Sequence, residues 1–314
     1  MTATDRPPSR RPLAAHARPA PGWVVVARGL VRTARPKQMT KNVLVFAAPG
    51  AAGVLTQAHE LGLTVLAFLA FCLAAAGTYM WNDLLDVEAD RRHPAKRTRP
   101  IAAGTVPLGV ARTAGVVLPA AGLGIAALTG RWQTVAVIAV YLALTITYSV
   151  WLKHVAVIDL LAIASGFVLR AAAGAVAVDV PMSRWFVLCI TFGSLFIVVG
   201  KRYAELLALG DGAGTRTTLS VYDAGYLRMV LAASLAGAMI SYCAWALDTA
   251  EASSSGWPFY ELSIVPVLGA FLRYLLVLEH GGGGAPEDVF TTDGVLQLLG
   301  LAWLVVYGVA VYSA

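Results

Sequence analysis

What most constrains this chain is a recurrence. From Thr40 onward, apolar runs about as long as a bilayer's hydrocarbon core is thick follow one another, separated by short polar clusters. In lipid only helices and closed barrels satisfy every backbone donor and acceptor, and these runs lack the alternation of barrel strands. The fold class is therefore all-α, a polytopic membrane protein. Composition agrees, at 58% hydrophobic and 13% charged, where soluble domains carry roughly 25% charged residues. Nine spans are expected, at 41–57, 61–83, 107–129, 133–151, 155–178, 184–203, 227–248, 259–279 and 294–312. Pro49 and Gly50 make the first the weakest.

The net charge of +6 suggests an anionic partner, but Trp and Tyr lie within apolar segments rather than on a basic soluble face. Membrane lipid or phosphate fits better than nucleic acid. Cys72, Cys189 and Cys243 sit in apolar runs without paired spacing, so neither disulfides nor zinc are indicated. Residues 1–22 mix Pro, Arg and Ala with no apolar stretch and read as a disordered basic tail, not a signal peptide; residues 23–314 form a single transmembrane domain.

Lys and Arg fix the expected orientation. Nineteen of the 24 fall on one side, in the tail through Lys41, after the second span, at Lys153 and around Lys201 to Arg228. The positive-inside rule makes that side, and the N-terminus, cytoplasmic in a cell inner membrane. One loop, 279–293, should share it by parity, yet it is acidic and lacks Lys and Arg. Two long loops, after spans 2 and 6, put the expected chemistry on the cytoplasmic face.

Span 2 ends in Asn82-Asp83-Leu84-Leu85-Asp86-Val87-Glu88-Ala89-Asp90. With Asn82 at 0°, a helix puts Asp83 near ~100°, Asp86 near ~40° and Asp90 near ~80°, one stripe, while Glu88 falls near ~240°. Three carboxylates and an amide stacked over two turns repel one another unless a hard cation intervenes, and Mg²⁺ shared with phosphate oxygens answers that need. A solvated helix end is the plainer alternative. The basic run that follows, with Lys96, Arg97 and Arg99, suits a diphosphate beside such a metal, or else lipid headgroups. Arg170 lies inside span 5, where an unpaired cation is costly; it should face a cavity and pair with Asp159 or a phosphate.

The stretch from Asn82 to Gly104 resembles the first signature of the UbiA superfamily of intramembrane prenyltransferases. Arg35-Pro36-Lys37-Gln38 with Lys41-Asn42, Tyr148-Ser149 with Lys153, and Asp159 with Gly166 to Arg170 support it over nearly the whole chain after the tail. The resemblance implies nine helices around a polar cavity open to the cytoplasm, making residues 23–314 one transferase domain. An ordinary member carries a second aspartate-rich motif near helices 6 and 7. Here stand Gly200-Lys201-Arg202-Tyr203-Ala204-Glu205, then Arg216, Ser220 and Tyr222, and Asp211 and Asp223 form no compact pair. Lys201 and Glu205 could form an i,i+4 salt bridge, but a Lys-Arg pair in a cavity is more economically a phosphate grip.

That departure resembles the decaprenyl-phosphate phosphoribosyltransferase branch, which serves cell-wall arabinan synthesis. It implies transfer of 5-phosphoribose from 5-phosphoribosyl diphosphate to a polyprenyl phosphate. Asn82, Asp83, Asp86 and Asp90 would hold Mg²⁺, with Asp83, Asp86 and Asp90 catalytic and Arg97 and Arg99 on the diphosphate. Lys41, Lys153, Arg170, Lys201 and Arg202 are candidates for the two phosphomonoesters, with Tyr148, Glu205 and Tyr222 lining the same site. Two other readings stay open: a conventional prenyltransferase moving a prenyl group to an aromatic or tetrapyrrole acceptor, and a transporter or scaffold. Homo-oligomerisation is open as well.

Overall fold

The computed structural model describes residues 22–209, 219–253 and 256–312, apart from the side chains of Leu209 and Ser220. The expected tail, Asp211 and Arg216 lie outside the described residues. Among the described residues all regular structure is helical. Helix α1 (Trp23–Ala34) leads into a 3₁₀ run, Pro36–Phe46, then α2 (Ala47–Ala51) and a 3₁₀ turn, Val54–Thr56. There follow α3 (Ala58–Leu85), α4 (Val87–Arg92), α5 (Leu108–Ala127), α6 (Trp132–Val150), α7 (Ile158–Ala177), α8 (Arg184–Leu209), α9 (Ala224–Ala252), α10 (Phe259–Leu262), α11 (Ile264–Glu279), α12 (Pro286–Thr292) and α13 (Gly294–Tyr312).

Eight stretches among the described residues are long and apolar enough to cross a membrane: α3, α5, α6, α7, α8, α9, α10 with α11, and α13. They match the last eight expected spans. The ninth, 41–57, is not one continuous helix. Pro49 cannot donate a backbone hydrogen bond, and Gly53 takes a left-handed φ of 70°, so the segment breaks into 3₁₀ and α pieces.

Helices adjacent in sequence pack in turn, α3 on α5, α5 on α6, α6 on α7, α7 on α8, α8 on α9, α9 on α11 and α11 on α13. The broken segment lies against α3 and α7 and touches α12. Absence of side chains sets the closest approaches, as between helices in lipid. A Cβ at Gly122 in α5 would stand 2.8 Å from the Ala70 carbonyl oxygen of α3, and one at Gly174 in α7 would stand 1.7 Å from the Val45 carbonyl oxygen. Gly174 therefore lets the 3₁₀ run lie directly on α7. One core joins α3, α6 and α7 around Phe71, Ile138 and Tyr141; another joins α7, α8, α9, α11 and α13 around Phe196, Leu227 and Leu278. Helices α3 and α7 are the most buried spans, and they carry Asp83, Asp159 and Arg170, while α4 and α8 add the buried Asp90 and Arg202.

Candidate active site

The acidic stripe survives a break. Helix α3 stops at Leu85 and α4 starts at Val87, with Asp86 (φ −91°, ψ 4°) between them, but the Asp90 amide still donates to the Asp86 carbonyl at 2.8 Å. Helical phase is nearly kept across the joint. Asp83 and Asp90 are buried and face a common cation, for Arg99 Nη1 lies 3.2 Å from Asp83 Oδ1 and 2.7 Å from Asp90 Oδ2. Glu88, as the helical angles require, points away and pairs with Arg91 at 2.7 Å on an exposed face.

Each of the four candidate ligand residues also has a partner from another element. Arg35 Nη2 sits 2.6 Å from Asp83 Oδ1. Lys153 Nζ, in the 3₁₀ turn Leu152–His154 after α6, sits 3.4 Å from Asp86 Oδ1, and the Ser149 hydroxyl donates to Asn82 Oδ1. Among the described residues, three or more carboxylates, imidazoles or thiols do not converge as they would around a metal. The donor chemistry still fits a hard divalent cation: carboxylate and amide oxygens on one face, charge-balanced here by Arg35, Arg99 and Lys153. Arg97 lies in the exposed turn Lys96–Thr98 and is not brought to the carboxylates, as its neighbour Arg99 is.

The expected phosphate cations divide into three places. Lys153 joins the acidic stripe. Lys41, Arg170 and Lys201 gather near one another: burial lowers the Lys41 pKa below the lysine value of 10.5, the Glu287 carboxylate opposes this, and the charges of Lys201 and Arg170 add to the lowering. Arg170 does not pair with Asp159, and no carboxylate within salt-bridge distance of it is found among the described residues. Its Nε donates to Asn42 Oδ1 at 2.7 Å, Nη1 to the Gly166 carbonyl at 2.6 Å and Nη2 to the Tyr141 hydroxyl at 3.2 Å. The guanidinium also lies over the rings of Phe71, Tyr141 and Phe167, at 5.4, 4.9 and 5.6 Å from their centroids. Quadrupole attraction and three acceptors thus hold a buried cation for which the sequence offered Asp159 or a phosphate.

Of those two expected partners, Asp159 belongs to Arg202. Asp159 Oδ2 lies 3.4 Å from Arg202 Nη2, and Glu205 Oε2 lies 2.9 Å from Nη1. The Tyr222 hydroxyl donates to Asp159 Oδ1 at 2.6 Å and accepts from the Val157 amide at 2.6 Å. Burial and the Asp159 carboxylate push the Tyr222 pKa well above the usual phenol value. Arg202 and Asp159 are both buried, so Asp159, Arg202, Glu205 and Tyr222 form a network tying α7 to α8 and to the segment before α9, with Arg202 Nε left without a hydrogen-bond partner among the described residues. Tyr148 is half-buried and lies on the Arg202 side of the site.

Three features were not anticipated as site parts. Helix α1 ends in a left-handed Arg35 (φ 55°), whose side chain crosses the Tyr79 ring at 4.9 Å to reach Asp83. The helix could have been read from Val26, Gly29, Leu30 and Thr33, which recur at helical spacing. Asn42 and Ser149 hold Arg170 and Asn82. On the acidic loop, Glu287 of α12 lies 3.6 Å from Lys41, and Asp288 lies 3.9 Å from Lys37. The loop 279–293 therefore shares the face of the Lys41 segment.

Known proteins place these features in a family. The UbiA prenyltransferase family model matches residues 43–292. The decaprenyl-phosphate phosphoribosyltransferase of Corynebacterium glutamicum is 44% identical over 292 residues, covering 91% of this chain and 88% of that protein. The protein so named from Mycobacterium tuberculosis is 45% identical over 292 residues, covering 90% and 94%. Among solved structures, a UbiA homolog from Archaeoglobus fulgidus bound to GPP and Mg²⁺ superposes with a TM-score of 0.68 at 18% identity, covering 91% of this chain and all of that one. Sequence and fold agree: the chain is a multi-pass membrane protein and belongs to the UbiA prenyltransferase family.

Proposed function

We propose that the protein transfers 5-phosphoribose from 5-phosphoribosyl diphosphate to a polyprenyl phosphate such as decaprenyl phosphate, releasing diphosphate. Two relatives at 44% and 45% identity carry the name of that activity across nearly the whole chain. The observation that carries the reading is the split of charge: an acidic stripe at the α3–α4 joint, and a cationic group of Lys41, Arg170 and Lys201. A donor with a diphosphate at one end and a phosphomonoester at the other, meeting a phosphomonoester acceptor, needs both kinds of site. Asn82, Asp83, Asp86 and Asp90 would hold Mg²⁺, which neutralises charge on the departing diphosphate when bound. Arg35 and Arg99, already on Asp83, are placed to contact the same group.

In the reaction the ribose C1–O bond to diphosphate breaks and a phosphate oxygen of the acceptor bonds to C1, the electron pair leaving with diphosphate. The acceptor phosphate is anionic at neutral pH, so no general base is required. Lys41, Lys201 and Arg170 form the phosphomonoester side, whereas Arg202, paired with Asp159 and Glu205, anchors to α7 the helix α8 that carries Lys201. The basic face is cytoplasmic by the distribution of Lys and Arg, which puts the site and N-terminus inside and the product in line for cell-wall arabinan assembly. Diphosphate release by the purified protein tests the reading. Release that requires 5-phosphoribosyl diphosphate and polyprenyl phosphate together supports it. Release from a prenyl diphosphate with an aromatic acceptor instead overturns it.

A further inference from the structure

Helix α12 interrupts the connection between two membrane spans. It is preceded by Gly281-Gly282-Gly283-Gly284, where Gly281 and Gly283 take left-handed φ of 80° and 88°. Its far end is pinned, because Asp293 accepts from Arg273 Nη2 at 2.8 Å and from Nε at 3.1 Å. A short helix between four glycines and a fixed anchor can turn about the glycine side. What α12 carries inward is a carboxylate, on a face where the surrounding charge is cationic.

Glu287 is poorly satisfied there. Its side chain is 13% exposed, Oε2 is buried without a hydrogen-bond partner, and Lys41 Nζ stands 3.6 Å from that oxygen. The outer contact, Lys37 with Asp288 at 3.9 Å, is between exposed side chains and holds little. Apolar hold comes from buried Pro286, from Val289 packed against the core around Phe196 and Leu278, and from Phe290, half in solvent and stacked on Tyr274 at 5.6 Å. A buried carboxylate oxygen at long range from its cation is an inferior partner for Lys41, and a phosphate dianion with more charge and more acceptor oxygens is a better one.

We infer that Glu287 is a further specificity-determining residue: its carboxylate holds the place of a substrate phosphomonoester against Lys41, and gives it up only to a ligand that binds the cationic group more strongly. This rests on the proposed reading of Lys41, Arg170 and Lys201 as a phosphate pocket. The phosphomonoester is either the 5-phosphate of the donor or the headgroup of the polyprenyl phosphate. Specificity follows because a tethered carboxylate competes more effectively with weak monoanions than with dianions.

The test compares KM for each substrate in wild type, Glu287→Gln and Lys41→Gln, with hydrogen exchange of residues 286–292 in the wild type. Glu287→Gln keeps the side-chain shape, and by removing a self-competitor it should lower KM for one substrate about threefold to tenfold. The substrate whose KM falls is the one whose phosphate uses the pocket, and adding it alone should speed exchange in 286–292. If Lys41→Gln raises a KM while Glu287→Gln lowers neither and exchange stays constant, the role of Glu287 is overturned and the pocket stands. If Lys41→Gln raises neither KM, the pocket itself is overturned, and with it this inference.

Discussion

Arg35 Nη2 rests 2.6 Å from Asp83 Oδ1, joining the left-handed end of the amphipathic helix α1 to the first carboxylate of the acidic stripe. The contact crosses 48 residues and brings a cation to a side chain that is almost fully buried. Arg35 is therefore brought to the candidate site, besides counting among the basic residues of that face. Arg35→Ala should lower kcat/KM about 10-fold to 100-fold, a loss typical of one charged donor. In an Asp83→Asn background the same change should add little, since the two act as one unit. Equal losses in both backgrounds would show that Arg35 acts independently of Asp83.

Gly174 gives a purely steric prediction. An added Cβ would lie 1.7 Å from the Val45 carbonyl oxygen, so Gly174→Ala must push the 3₁₀ run off α7. The expected destabilisation is about 1–3 kcal/mol in thermal unfolding. KM for a phosphate-bearing substrate should rise, because Lys41 and Asn42 ride on that run. An unchanged melting curve and unchanged KM would mean that the contact is not made.

Much of this was legible in sequence, and the limits are physical. Eight spans were readable because apolar length is a local property, and the acidic stripe because residues 82 to 90 sit on one near-continuous helix. The broken segment 36–56 defeated the count since Pro49 and Gly53 forbid a helix that apolar content alone favours. Charge partners were the least readable. Asp159 took Arg202 and not Arg170, Lys153 took Asp86, and Lys41 found Glu287, all choices made by packing between helices far apart in sequence.

Tyr222 offers a test of the Asp159–Arg202 network. Its hydroxyl bridges Asp159 and the amide of Val157, a β-branched residue held at φ 68°. A backbone of that kind costs about 1–3 kcal/mol and persists only when its surroundings hold it. Tyr222→Phe removes the bridge and leaves Asp159 short of a donor, so stability should fall by about 1–3 kcal/mol. A variant as stable as wild type would mean that Arg202 alone suffices.

Lys41 makes activity sensitive to alkali. Burial, with help from Lys201 and Arg170, lowers its pKa from 10.5. Folding then releases protons in the window between that lowered value and 10.5, so this group's contribution to stability improves as pH rises through it. Anion binding by the ammonium runs the other way: it is complete below the window and is lost as pH rises into it. KM for one phosphate-bearing substrate should climb at a pH lower than an ordinary lysine would give. In Lys41→Arg, whose guanidinium stays charged, that climb should move to higher pH. A climb at the same pH in both proteins would assign it to another group.

The central claim is that the sugar diphosphate is the donor and the lipid phosphate the acceptor. Purified protein should be incubated with Mg²⁺, radiolabelled 5-phosphoribosyl diphosphate and a polyprenyl phosphate, beside an Asp86→Ala variant, and the organic-extractable lipid counted. The account predicts label in the lipid that requires Mg²⁺ and disappears in Asp86→Ala. An unlabelled lipid, from protein that instead prenylates an aromatic acceptor with a prenyl diphosphate, would contradict it.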